Sequence, residues 1–490
     1  MPFTKLLAIV LCMLCVQAHA QNVEWGNPQK IKQKNLYTQI IGESPSGIYL
    51  LRCKDNDFAA DVIIEKYKQN LSLETSIPLP LTINGLVERV LLVDNALFIF
   101  ISARNTNTGK VDLLVQKLDE NLKVSGLPFV ICTIEKGKFI EKRKIQIKTN
   151  AEKTNVGIMY FTLGNDKNSS GLNLYCFNKQ LQQIYGKQFN LAYRQQSVFI
   201  TAFDVNNSGD IFLLIDYPKD SGKDESTDPR KFFLYGYYQN NDKILEYQLD
   251  NDSIFIEELA MAVNNFNQTI TVVGLYSQYK SNDIKGYFFK RFSFNTRQEE
   301  LNYISSLDAN VIQKLNATRL ERDKEDLNDY YIRKLIPRSD GGIFLIAEKF
   351  YQTKQTYTYY VNNFPQTATR VVYNYDEVGL ISLNKAGEIH FTELIKKRQN
   401  SVGDGGYLSS VVPVITTDFI YILYNSDLDK ESDIMLNYTN YQGKSDGKIL
   451  IKSNNFNAAI IPGEFKQISA NAAIFSTIRD KQFTLMRVTF

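Results

Sequence analysis

The sequence predicts an all-β chain made of about eight consecutive small sheets, and three observations lead there. The 490 residues include 29 Tyr and 30 Phe against a single Trp, and aromatic side chains suit the pleated surface of strands better than helices. The length exceeds the ~250–300 residues at which a single core usually stops growing, so a repeat array or several small units is expected. A short pattern also recurs along the chain: a polar or Gly turn, an apolar run, and a small or polar exit.

The runs are Ser46-Gly47-Ile48-Tyr49-Leu50-Leu51, Asn95-Ala96-Leu97-Phe98-Ile99-Phe100, Asn155-Val156-Gly157-Ile158-Met159-Tyr160 and Gly209-Asp210-Ile211-Phe212-Leu213-Leu214. They continue as Asn267-Gln268-Thr269-Ile270-Thr271-Val272, Gly341-Gly342-Ile343-Phe344-Leu345-Ile346, Asp418-Phe419-Ile420-Tyr421-Ile422-Leu423 and Asn471-Ala472-Ala473-Ile474-Phe475-Ser476. From Gly47 to Asn471 the steps are 48, 60, 54, 58, 74, 77 and 53 residues. Each run is apolar at successive positions, so both faces of its strand must be covered, as between stacked sheets. Around the fourth run the pattern resolves into strands at 198–205, 211–217, 231–238 and 243–249.

Four strands at a period near fifty, joined by turns such as Arg338-Ser339-Asp340-Gly341-Gly342-Ile343-Phe344, resemble the blades of the β-propeller superfamily, here uncharacterised secreted bacterial members. The resemblance covers nearly all of the chain after residue 20, though its motifs are of low specificity. The propeller families built on Trp-Asp, Gly-Gly…Trp or Ser-x-Asp-x-Gly-x-x-Trp signatures need a Trp in each blade, and only Trp25 is present. The resemblance implies about eight four-stranded blades, seven being the alternative that spacing also allows. The eighth unit offers three strands near 459–468, 472–478 and 483–490, so residues 23–32 are expected to add the fourth and close the ring.

Residues 1–20 read as a cleavable export signal. Lys5 supplies the basic start, residues 6–16 the short apolar stretch, and Ala18-His19-Ala20 the small-x-small cleavage site. Cys12 and Cys15 each follow Leu, which does not fit a lipidation site. The mature chain, 21–490, is then a single propeller domain exported to the periplasm or beyond, with no second apolar stretch of membrane-spanning length.

Composition narrows the chemistry. Lys plus Arg is 56 and Asp plus Glu is 53, a net charge of +3 that falls to +2 without Lys5. Nucleic-acid binders normally carry a strong basic excess, so none is expected as a partner. Cleavage leaves Cys53, Cys132 and Cys176, each in an apolar run, enough for at most one disulfide and too few for a four-cysteine metal site. It also leaves one histidine, His390, in the alternating stretch Gly387-Glu388-Ile389-His390-Phe391-Thr392-Glu393-Leu394, read as a half-exposed strand residue. No site needing two imidazoles can form, and there is no Gly-x-Ser-x-Gly elbow or phosphate-binding Gly-x-x-x-x-Gly-Lys-Ser/Thr. No cofactor and no tightly bound transition metal is expected. Two acidic stretches invite calcium. In Asp204-Val205-Asn206-Asn207-Ser208-Gly209-Asp210 the downstream bidentate acid is missing, so a tight turn is expected; Asp427-Leu428-Asp429-Lys430-Glu431-Ser432-Asp433 has no Gly to bend it.

Three insertions break the period. Residues 218–230 form an acidic, Gly- and Pro-punctuated loop; residues 308–330, with Val311, Ile312, Leu315, Leu320 and Leu327, form an amphipathic helix across the rim between units five and six. Residues 351–375 form an extended hairpin carrying Tyr351, Tyr357, Tyr359, Tyr360, Tyr373 and Tyr375. Tyrosines offer large contact area and a hydroxyl, as recognition surfaces need, but equally make cross-strand cover for a blade. These six are the candidate partner-binding residues; no catalytic residue is assigned.

Two functional classes follow. One is a binding or scaffold propeller of the cell envelope that recognises a protein or polysaccharide through its loops. The other is a carbohydrate-active enzyme, a hydrolase or lyase, using a pair of carboxylates at the propeller centre; binding is preferred because a single Trp is a poor supply of sugar platforms. Intact-mass measurement or N-terminal sequencing of exported protein is expected to show a chain beginning at Gln21. A chain retaining Met1, or lipid on Cys12 or Cys15, overturns the export reading.

Overall fold

In the computed structural model the chain is described over residues 21–490, except 31–36, 56–57, 59–60, 136–144, 164–168, 192–197, 218–229, 240, 250–253, 279–282, 317–325, 429–431, 455–456 and 480–481. Each repeated apolar run becomes the second strand of an antiparallel sheet, and among the described residues there are eight such sheets in chain order, the blades of a β-propeller. The second strands are Gly47–Cys53, Ala96–Arg104, Asn155–Leu163, Ile211–Tyr217, Thr269–Ser277, Ile343–Val361, Phe419–Asn425 and Ala472–Arg479. Blade 4 is typical, with Phe199–Val205, Ile211–Tyr217, Lys231–Tyr237 and Leu245–Gln248 paired in that order.

The double-faced burial of these strands has a simple cause. Successive side chains on a strand point to opposite faces, so in blade 4 Ile211, Leu213 and Ile215 pack with blade 3 while Phe212 and Leu214 pack with blade 5. The buried apolar residues fall into eight clusters, each shared by two adjacent blades. Blades 8 and 1 are joined in the same way, through Ile474, Phe483 and Leu485 against Ile40, Ile48, Leu50, Tyr67 and Leu71. Each fully buried Leu or Phe contributes roughly 1.5–3 kcal/mol.

Pairing closes the ring as well. Asn22–Trp25 runs antiparallel to Gln482–Thr489, with Val23 opposite Val488 and Trp25 opposite Met486, and Gln29–Lys30 pairs with the same strand. The last blade therefore takes three strands from the C-terminus and its outer one from the N-terminus. Arg487 of blade 8 reaches Glu43 of blade 1 at 2.5 Å. The first strands of the blades lie against one another from blade 7 through 8 and 1 to blade 6, lining the middle.

Turn chemistry explains the anchors. Gly209 and Gly341, both at φ 86°, end turns in which their N–H bonds back to the carbonyls of Asn206 and Arg338, a left-handed position that a side chain would strain. The 204–210 stretch is such a turn: Asn206 Nδ2 donates to Asp210 Oδ2 at 2.7 Å, and the Asp204 carboxylate pairs with Lys148 at 3.0 Å. His390 is an exposed residue of Ile389–Ile395, edge-on to the ring of Phe391. Cys53, Cys132 and Cys176 are buried thiols outside any disulfide, and burial pushes Cys132 and Cys176 up to about 12.

The insertions differ from expectation in detail. Helix α1 covers only Ala309–Leu315, capped by the Asp308 carboxylate on the N–H of Val311. Val311, Ile312 and Leu315 enter the core between blades 5 and 6, whereas Leu327 belongs to a short strand paired with Asp283–Ile284. The apolar spacing of 308–330 thus mixes a two-turn helix with a strand, and Leu320 lies outside the described residues, as do residues 218–229, Asp429, Lys430 and Glu431. Among the described residues no helix is long and apolar enough to cross a membrane.

A chain begun at residue 31 lacks both closing strands. It is expected to melt several degrees lower and to scatter light in proportion to concentration, because the edge of Gln482–Thr489 is left unpaired. Unchanged melting would show that the apolar seal between blades 8 and 1 suffices.

Candidate functional site

One polar residue per blade is buried near the exit of the second strand: Arg52, Ser102, Thr162, Asp216, Ser277, Glu348, Asn425 and Thr477. The first strands carry β-bulges in blades 1, 2, 4, 5, 6 and 8, and in blades 2, 5 and 6 the bulged residue meets that belt. In blade 2 the bulged Glu88 accepts from Ser102 Oγ at 2.5 Å, and in blade 5 Glu257 accepts from Ser277 Oγ at 2.5 Å. In blade 6 the bulged residue is Arg333, whose Nε donates to Glu348 at 2.7 Å.

Glu348 and Lys397, both fully buried, are the centre of a polar network. The Glu348 carboxylate also meets Lys397 Nζ at 2.8 Å and the hydroxyl of Ser410 at 2.5 Å. Lys397 donates further to the Tyr375 carbonyl at 2.9 Å and to Gln399 Oε1 at 3.0 Å. Burial lowers the Lys397 ammonium and the Glu348 carboxylate opposes that. Removing one partner of such a pair typically costs 3–5 kcal/mol, since the other is left charged and dry. The network pins the connection from blade 6 to blade 7, whose Gln399–Val402 adds a strand beside the base of the Tyr-rich hairpin.

That connection forms one wall of a pocket of about 430 Å³. Tyr37 and Thr38 come from the start of blade 1, Arg333 and Tyr375 from blade 6, Tyr407, Ser409 and Ser410 from the connection, and residues 461–464 from blade 8. Three glycines at φ 65°, 71° and 77°, Gly403, Gly405 and Gly406, turn the connection back. A Cβ on Gly406 would stand 2.5 Å from the Tyr375 ring. The turn brings the Tyr407 ring edge-on to Tyr37, with centroids 6.0 Å apart.

In blade 8 the register breaks between Ile460 and Phe465, and Ile461-Pro462-Gly463-Glu464 fills the break. Pro462 has no N–H to offer a ladder. Glu464 is 8% exposed and accepts the hydroxyl hydrogen of Thr38, which also lies 2.6 Å from Ser476 Oγ. Burial pushes the Glu464 carboxyl up to about 7, against the pull of Thr38 and Arg52. Glu258 of blade 5 is likewise raised to about 7 by burial, with the Ile332 N–H and Arg333 opposing. Among the described residues lining the pocket Glu464 is the one carboxyl group, while Glu348 stands behind Arg333 and Ser410 with its charge paired.

The six tyrosines separate into a base and a tip. The hairpin of Ile343–Val361 and Phe364–Leu383 stays paired to its end, where Asn362 and Asn363 turn at φ 50° and 68°. It leaves blade 6 from the end that holds the pocket. Tyr351 donates to Asp376 at 3.1 Å, Tyr375 packs on Phe350 with centroids 4.6 Å apart, and Tyr373 lies opposite Gln352. Tyr357, Tyr359 and Tyr360 are 43%, 44% and 71% exposed at the tip, beside Phe364 at 71%. By register Tyr357 and Tyr359 share one face with Phe364, while Tyr360 and Tyr373 lie on the other. Glu348, Lys397 and Glu464 escaped the sequence reading. The acid closing Gly342-Ile343-Phe344-Leu345-Ile346-Ala347-Glu348 was the available signal, a charge placed where the period demands a buried strand.

No family model matches the chain, and no curated protein does. Among solved structures it is similar to the polysaccharide lyase Uly1, at 10% identity over 82% of this chain and 89% of that one, with a TM-score of 0.39. It is similar to the WD40 domain of SCAP from fission yeast, at 8% identity over 96% and 94%, with a TM-score of 0.37. It is also similar to the β-propeller domain of the Trilobed protease from Pyrococcus furiosus, at 10% identity over 88% and 97%, with a TM-score of 0.33.

Glu258 and Glu464 set part of a pH dependence, beside Asp216 and Asp376, which burial also raises. An acid raised in the folded state binds its proton there while the unfolded chain has already lost it, so stability falls as pH climbs through the window. For Glu258 and Glu464 that window runs from 4.5, the unfolded value, to about 7. Each group is expected to account for a loss of at most about 3 kcal/mol. Denaturant unfolding across this range, repeated on Glu464→Gln and Glu258→Gln, should show each variant flattening part of the slope. An unflattened slope in both overturns the assignment.

Proposed function

We propose that the chain is an exported binding propeller whose recognition end carries the Tyr-rich hairpin and the Glu464 pocket, and whose partner is a protein or polymer of the cell envelope. The observation that carries the reading is the hairpin tip. A two-stranded ribbon is marginally stable on its own in water, and among the described residues no third strand pairs with this one beyond Val372 and Val402. It nonetheless holds Tyr360 and Phe364 at 71% exposure. Ordering each of these residues costs ~1–2 kcal/mol of backbone entropy without burying the tip, which fits a surface covered when a partner is bound.

Replacing residues 357–368 with Asn-Gly joins Thr356 to Thr369, which already face each other, and leaves the strand at Gln399–Val402 in place. The trimmed protein is expected to melt within a few degrees of the parent and to lose the envelope component that the full chain cross-links. Capture equal to the parent's overturns the proposal. So does a trimmed chain that fails to fold while Tyr360→Ser with Phe364→Ser folds and captures normally.

A further inference from the structure

The pocket has features that a structural void would not need. Its hydroxyl-bearing wall includes Ser409, 3% exposed, whose Oγ has no hydrogen-bond partner among the described residues. A buried, unsatisfied hydroxyl costs ~1–3 kcal/mol, and a ligand hydroxyl would satisfy it. Arg333 is held by its Nε on Glu348 and by the nearby rings of Phe350 and Tyr375, 5.9 and 5.6 Å from the guanidinium carbon. Its two terminal nitrogens make no hydrogen bond to a described residue, and the side chain is 31% exposed at the pocket wall. A guanidinium fixed at one edge presents its remaining fork to a planar anion, and carboxylate is the bidentate match.

The rest of the lining selects among carboxylates. Tyr37, Tyr407 and Phe58 offer ring surface against which a flat saturated ring can lie. Ser409 and the tyrosines Tyr37, Tyr375 and Tyr407 bring hydroxyls to the lining, while those of Thr38 and Ser410 already donate to Glu464 and Glu348. A free amino acid would bring an ammonium group, and among the described residues lining the pocket the one acid is Glu464, whose carboxyl already accepts from Thr38. The volume of about 430 Å³ lies in the usual range for small-ligand sites.

We propose that this pocket binds a sugar acid, with Arg333 taking the carboxylate, Ser409 a ring hydroxyl, and the Tyr37–Tyr407 pair the face of the pyranose. The site stands apart from the hairpin tip and does not need the partner proposed above, although both lie at one end of the ring. Binding weakens as Glu464 loses its proton, because its carboxylate would then repel the ligand. The charge acting on Glu464 is Arg52 of blade 1, itself paired with Glu65 at 2.8 Å, while Arg333 of blade 6 lines the same pocket and shares Glu348 with Lys397.

The test is calorimetric titration of the full chain with D-glucuronate, D-glucose and hippurate, at pH 6 and pH 8. Saturable glucuronate binding, at least about tenfold tighter than glucose and weakened about tenfold by Arg333→Lys, is the expected result. Ser409→Ala, which leaves every ion pair in place, is expected to weaken it several-fold. Glu464→Gln is expected to remove the difference between the two pH values. Equal affinity for glucose shows that Arg333 does not read a carboxylate, and hippurate binding as tightly as glucuronate shows that the sugar is not read; either overturns the proposal. Absence of saturable glucuronate binding to the folded parent does so as well. The chain trimmed at 357–368 is expected to bind glucuronate normally, so failure of the hairpin proposal and failure of this one are separable.

Discussion

A strand that is apolar on both faces can leave water only if another sheet lies against each side, and this requirement governs the whole molecule. Phe212 and Leu214 need blade 5 as much as Ile211, Leu213 and Ile215 need blade 3. A linear stack of such sheets would always leave two outer faces wet, and each exposed face would forfeit the ~25 cal/mol per Å² that covering it yields. A ring has no outer faces. The pairing of Asn22–Trp25 with the last strand and the cluster of Phe483 and Leu485 with Leu50 and Tyr67 are two expressions of that geometry. The first ties the backbone and the second removes water.

The same strands must stop somewhere, and they stop on polar side chains. Placing Ser102, Asp216, Glu348 or Asn425 at the last covered position carries a desolvation cost that is offset only if each finds a partner. The bulges of the first strands deliver many of those partners. Asn425 is the fullest case, donating to the carbonyls of Leu408 and Ile460 and accepting the N–H of Ile460, so that one amide stitches blade 7 to blade 8. Blade 6 uses charge instead. Glu348 with Arg333 and Lys397 fixes the connection that shapes the pocket, so the stability of one blade and the form of that pocket rest on the same charges.

Much of this was legible in the residues. The period of apolar runs located all eight second strands, and the alternation around Ile211 placed the four strands of blade 4 to within a few residues, because local propensity and global burial agree there. The expected closing strand near residues 23–32 followed from an odd strand count in the last unit. What stayed hidden depends on contacts distant in sequence. Glu464 meets Thr38 across more than four hundred residues, and Ser409 matters only because Arg333 and Tyr37 converge beside it. The helix expected over 308–330 failed for a local reason: Val311, Ile312 and Leu315 keep helical spacing, but Leu327 is drawn off to pair with Ile284. The tyrosines of 351–375 are one group by composition and two by position, since strand register decides which of them reaches the tip.

The closing strand also sets an order in time. Thr484 Oγ1 bonds to the carbonyl of Gly26 across 458 residues, so the first strand to be synthesised is among the last to find its partner. Pairings of such sequence separation are slow, and domains assembled during synthesis must hold their early segments open until the late ones arrive. If the chain crosses a membrane from its N-terminus, Asn22–Trp25 waits on the far side as an unpaired edge while the remaining blades are still emerging. Whatever shelters that segment in the interval, whether a chaperone or a transient pairing within blade 1, has as much influence on the yield of folded ring as any contact in the finished one.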